Sequence, residues 1–173
     1  MTEKNLNNNI VKKLYSNNLS SVNQALDEIS QSGNSQYIPM LIDILHTHPH
    51  ESVKSGVIKI LSEIKHTNAV PELMKAIENP EYINLQETLI RICWENGLDF
   101  TNYFSTFIDL LIKGNYMIAF EAYTVIENSE GYLSSTSVHE YIDRLKEALT
   151  NVPEERTALI HSIIQFLPSL IKP

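Results

Sequence analysis

The chain has 173 residues but only one cysteine, Cys93. It can therefore form no intramolecular disulfide and no cysteine-paired zinc site. Glycine is scarce too, at five residues, which excludes a collagen-like or glycine-linker protein. No run approaches the roughly 20 apolar residues needed to cross a bilayer. The opening stretch, MTEKNLNNNI, lacks the apolar segment of a secretory signal. A cytoplasmic protein with no membrane partner is the expectation. Positive charge is also short: 13 Lys and Arg stand against 21 Asp and Glu, a formal net charge of -8. Such a surface repels phosphate backbones, so no nucleic-acid partner is expected. It would steer a basic protein inward.

Catalytic patterns are missing as well. There is no nucleophile elbow, no phosphate-cradling glycine loop and no HExxH. No catalytic residue, cofactor or metal site is expected. His46, His48 and His50 form H-T-H-P-H, but alternate residues of an extended loop face opposite ways, and Pro49 stiffens the link. Cys93 lies four residues past Leu89 and one past Ile92, on an apolar helix face, as a structural thiol does. Trp94, the only tryptophan, follows that stripe and is expected half-exposed at an edge, with an interface anchor as the alternative. Glu154 and Glu155 follow Pro153, where a helix N-terminus favours carboxylates.

What the chain does have is repetition. LIDIL starts at Leu41, LMKAI at Leu73, FIDLL at Phe107 and YIDRL at Tyr141, in steps of 32, 34 and 34 residues. A fixed period in the thirties marks stacked structural repeats. The apolar spacing is helical nearly throughout: Val57, Ile60, Leu61 and Ile64 share one face, as do Val70, Leu73, Met74 and Ile77. Sustained alternation is missing, so strands are not expected.

Short polar breaks divide the pattern into helix pairs at about 19–32 and 35–47, 50–65 and 67–79, 81–96 and 100–113, and 115–129 and 134–150. A cap helix is expected near 8–16 and a final helix at 153–167, closed by Pro168. Ser137 and Glu140 have capping-box spacing, and Asp99 is placed to cap the helix after it. The expected organisation is a disordered 1–7, one domain over 8–168 and a C-terminal tail at 169–173, frayed over Ile171, Lys172 and Pro173.

Within this pattern, Ile60 to Ile77, ILSEIKHTNAVPELMKAI, resembles one repeat of the HEAT family, of the short kind also found in bilin-lyase-like proteins. Leu-x-x-Ile closes the first helix of the pair, a polar turn follows, and Val-Pro opens the second. The first repeat has a matching Tyr37-Ile38-Pro39-Met40-Leu41, while the third and fourth have Ser105 and His139 near the proline's place. The resemblance implies an all-α, right-handed α-solenoid of about four helix pairs with capping helices. It also implies that the second helices line a concave side.

Pentad positions 1, 2 and 5 are expected to be buried, because no repeat can cover its apolar face alone. Position 3 reads Asp43, Lys75, Asp109 and Asp143. With the family geometry, these residues form a ladder on the concave side, beside Glu72, Asn102, Thr106, Glu140, Lys146 and Glu147. Phe120 to Arg156 holds eight acids and three bases, so the charge is concentrated toward the C-terminus. The expectation is a non-enzymatic protein-interaction module whose acidic face binds a basic protein, as an inhibitor or immunity protein of a toxin would. The alternatives are a bilin-lyase-like or complex-assembly factor and a HEAT-like DNA glycosylase. The last would need a basic cleft, which these residues do not supply.

Overall fold

The computed structural model describes residues 6–172. It is all-α: among the described residues there are ten α-helices, short 3-10 turns and no strand, only an isolated bridge between Leu133 and Ile171. Disorder expected for residues 1–7 falls mainly on residues 1–5, which lie outside the described part. The chain divides into two compact units, one ending at Leu85 and one beginning at Gln86.

The first unit contains α1 (Asn8–Leu14), α2 (Leu19–Ser32), α3 (Ile38–Thr47), α4 (Glu51–Glu63) and α5 (Ala69–Glu78). Asn7 and Asn18 cap α1 and α2 by accepting from the backbone N–H of Asn9 and Ser21. Helix α2 ends at Gly33, whose φ of 59° is the left-handed conformation glycine adopts without a Cβ clash. Pro39 sits in the first turn of α3 and Pro71 in that of α5, where a missing N–H breaks no helical bond. Helix α2 packs on α1 and α4, and α3 packs on α4 and α5. Leu14, Val22, Leu41, Val57, Leu61 and Leu73 are buried between them. Each such side chain contributes about 1.5–3 kcal/mol by leaving water. Tyr37 is also buried, and its hydroxyl accepts from the N–H of Asn7 at 2.9 Å, which ties the start of α1 to the core.

The second unit contains α6 (Gln86–Glu95), α7 (Phe104–Lys113), α8 (Tyr116–Glu127), α9 (Ser135–Ala148) and α10 (Glu154–Phe166). Helix α8 packs against α6, α7 and α10, and α7 packs against α9. Phe104, Phe107, Leu111, Ile126, Leu145 and Ile160 form its core. Ala119 and Ala122 are small, so they allow α8 to approach its neighbours closely.

Three helices expected to run continuously open instead with 3-10 turns, at Ser35–Tyr37, Pro80–Leu85 and Thr101–Tyr103. The cause is shared. Asn34, Asn79 and Asp99 each accept from the backbone N–H two residues on, at 3.0, 3.0 and 2.9 Å. That side-chain bond tightens the chain before the helix begins. The expected Ser137–Glu140 capping box is replaced by Ser134, whose hydroxyl accepts from the N–H of Ser137 at 3.0 Å. Ser137 is already inside the helix.

Two further expectations are corrected. The frayed end expected at Ile171 to Pro173 is held as far as Lys172, whose N–H donates to the Leu133 carbonyl at 3.3 Å, while the N–H of Leu133 donates to the carbonyl of buried Leu170 at 2.8 Å. Tyr141 and Ile142, expected to be buried like their counterparts in the other pentads, are half-exposed, and only Leu145 of that pentad is fully covered. Helix α9 packs against α7 and α10, and these neighbours cover Leu145 but leave Tyr141 and Ile142 half-exposed.

Candidate interaction surface

The pentads lie on α3, α5, α7 and α9. In the first unit α3 rests on α5. Asp43 is half-buried and its Oδ2 accepts from the hydroxyl of Tyr15 at 2.9 Å. Glu72 and Lys75, one turn apart on α5, pair with each other at 2.8 Å. The expected site residues of this unit are therefore already engaged, one by a phenol and two by mutual neutralisation.

In the second unit, Asp109 on α7 meets two cations. Its Oδ1 lies 2.7 Å from Nη2 of Arg144 and 3.1 Å from Nζ of Lys113. Arg144 also donates to Ser105 at 3.1 Å and places its guanidinium 5.9 Å from the Tyr141 ring centre. Asp109 thus presents no free negative charge, contrary to the expected acidic row. The spacing showed where Asp109 points but not that Arg144, 35 residues on, reaches back to it. Thr106, on the same helix, is half-buried.

Helix α9 differs. Glu140, Asp143 and Glu147 stand at i, i+3 and i+7, which places them in one stripe. All three are exposed, and no hydrogen bond or ion pair engages their carboxylates among the described residues. Lys146 is exposed beside them. Glu154 and Glu155 stand exposed in the first turn of α10. A groove of about 450 Å³ is lined by Asp109, Arg144, Glu147 and Arg156. Arg156 is not free to bind a ligand: its Nη1 donates to the carbonyls of Ile112 and of Gly114, the latter at 2.7 Å, and so satisfies the C-terminal end of α7. This surface can attract and pair with cationic side chains.

Trp94 is half-buried, as expected for an edge residue, but it is tethered: Nε1 donates to Oε2 of Glu121 at 2.7 Å. Glu121, only 6 % exposed, escaped the sequence reading. A lone acid inside an apolar helix pattern was the signal available. Trp94 also edges a cavity of about 400 Å³ with Asp99, Phe100 and Glu130. Cys93 is buried and its thiol donates to the carbonyl of Leu89 at 3.3 Å. Burial pushes that thiol's pKa well up, away from the thiolate that a nucleophile needs.

Of the three histidines in H-T-H-P-H, only His46 is helical, while His48 and His50 share the short connection between α3 and α4. His46 lies in the last turn of α3, His48 follows that helix, and His50 precedes α4. Nδ1 of His48 accepts from the N–H of His50 at 3.2 Å. Among the described residues no group of three or more His, Cys, Asp or Glu is placed to hold a metal ion. No described helix is long and apolar enough to cross a membrane.

No family model matches the chain, and no curated protein shows significant similarity to it. The HEAT-like expectation therefore stands on the repeated residues themselves.

Proposed function

We propose that this protein is a non-enzymatic binding module of the α-solenoid kind, and that its C-terminal unit captures a basic protein. The solenoid reading is supported by the sequence period and by a common packing rule within each unit. Helices two apart touch: α2 with α4 and α3 with α5 in the first unit, α6 with α8 and α7 with α9 in the second. Stacked repeats pack in this way.

The observation that carries the functional reading is the stripe of Glu140, Asp143 and Glu147. These carboxylates stay solvated and unpaired, while the other expected site acids are engaged. The unit from Gln86 has twelve acids and six bases, which accounts for -6 of the net -8. Such a field raises the rate of encounter with a cationic surface. An inhibitor that covers the cationic site of a toxin enzyme is one form this chemistry supports.

The test is affinity capture with wild type and with Glu140→Gln/Asp143→Asn/Glu147→Gln, at low and high salt. The expected result is a basic protein held by wild type at low salt, released as salt rises, and lost by the triple variant. Equal capture by both proteins would show that the α9 stripe is only a solvated face.

A further inference from the structure

Helix α8 is apolar on two sides. Ala119, Ala122, Val125 and Ile126 are buried against its neighbours. On the outer side Tyr116 is 42 % exposed, Met117 44 % and Phe120 40 %, with Tyr123 half-buried. A helix apolar all round belongs in a core, but half of this one faces solvent. Tyr116, Phe120 and Tyr123 stand at i, i+4 and i+7, so their rings form one rail along the helix. The ring centres are 6.4 and 6.3 Å apart, with successive planes inclined by only 26° and 27°. Glu127 ends the rail and accepts a hydrogen bond from the Tyr123 hydroxyl.

We propose that this rail docks an extended, arginine-bearing segment of a partner protein, with guanidinium groups on the rings and one paired to Glu127. This deepens the reading above in one respect, since it rests on the partner being basic; the helix it uses is a different one. Spacing supports it. Alternate residues of an extended strand are about 6.6 Å apart, at roughly 3.3 Å per residue, close to the ring-to-ring steps. A planar guanidinium stacks on aromatic faces better than an ammonium does.

Charge selects the occupant. Four of the six bases in this unit are already engaged: Arg91 with Glu95, Lys113 and Arg144 with Asp109, and Arg156 with backbone carbonyls. The remaining field is acidic, so it draws in a cationic segment. A second copy of the same face would set an acidic unit against an acidic unit.

The experiment is an anisotropy titration of the intact protein with a labelled peptide of alternating arginine and alanine, and with its lysine counterpart. Tyr116→Leu/Phe120→Leu/Tyr123→Leu keeps bulk but removes the π faces. Tyr116→Phe/Tyr123→Phe keeps the faces. The arginine peptide should bind wild type and the phenylalanine variant within twofold. It should bind the leucine variant at least tenfold more weakly, and the lysine peptide should bind wild type more weakly than the arginine peptide. If the triple leucine variant does not fold, Phe120→Leu alone carries the comparison, with a several-fold loss expected. The α9 variant Glu140→Gln/Asp143→Asn/Glu147→Gln should retain the peptide within threefold. Undiminished binding by a folded leucine variant overturns the proposal. So does loss confined to the α9 variant, an outcome that would favour the α9 stripe instead. A wild-type dimer in sedimentation that Phe120→Arg dissociates would also overturn it, because a second copy then covers the rail.

Discussion

The indole N–H of Trp94 donates to Oε2 of Glu121 at 2.7 Å, joining α6 to α8 through a carboxylate that is 6 % exposed. A buried acceptor deprived of its donor costs about 1–3 kcal/mol, whereas removing both partners together can be nearly neutral. Trp94→Phe should therefore lower the unfolding free energy by about 1–3 kcal/mol. Trp94→Phe/Glu121→Leu should recover most of that loss. Urea denaturation followed by circular dichroism checks both. Additive losses in the double variant would mean that the pair is not coupled.

Gly131 closes against Thr101. A Cβ at position 131 would lie 2.0 Å from the Thr101 hydroxyl oxygen and 2.9 Å from Oδ1 of Asp99. Thr101 is buried and its hydroxyl also contacts that of Ser129 at 3.0 Å, so it has little room to move. Gly131→Ala should cost about 1–3 kcal/mol through overpacking. Adding Thr101→Ala removes the nearest clashing atom but leaves the Cβ of residue 101 and Oδ1 of Asp99 at 2.9 Å, so the double variant should lose less than the sum of the single losses without full recovery. A thermal melt of Gly131→Ala that matches wild type would refute the close approach.

The phenol of Tyr15 is pushed from 10.0 to about 12, first by burial, then by its hydrogen bond to the Asp43 carboxylate and by that charge. Tyr82 is raised too, by burial, by Glu81 and by Asp43. The folded state thus keeps a proton that the unfolded chain has already released. Its contribution is complete below pH about 10 and fades as pH climbs toward about 12. An absorbance titration of the phenolates should show tyrosines ionising above the ordinary range. In Asp43→Asn the Tyr15 transition should fall back toward 10.0. An unchanged titration would show that Asp43 does not act on Tyr15.

Cys93 should resist thiol reagents while the protein is folded. Its sulfur is buried, and burial raises its pKa, so thiolate is scarce and access requires opening. Labelling with a disulfide reagent should be slow in buffer and fast in denaturant. Labelling at the free-thiol rate in buffer would mean that α6 opens readily.

Much of the architecture was legible from local pattern. The span of α2 as Leu19–Ser32 follows from the Asn18 cap and the Gly33 stop, both of which act within a few residues. The acidic stripe of α9 was legible for the same reason, since i, i+3 and i+7 is a property of one helix. The state of Asp109 was not: its charge is cancelled by Arg144 from another helix. The 3-10 turns were hidden because Asn34, Asn79 and Asp99 each choose between capping a helix and tightening the turn before it.

By itself, then, the sequence determined that the chain is helical, where its helices break and that its pentads repeat, because periodicity and capping act over short distances. Tertiary structure alone decided which charges remain free, that Trp94 is tethered to Glu121, that Leu170 is tucked in and that the α8 rail stays uncovered. Those outcomes depend on which side chains meet after helices pack, and partners 27 to 44 residues apart leave no mark in local spacing.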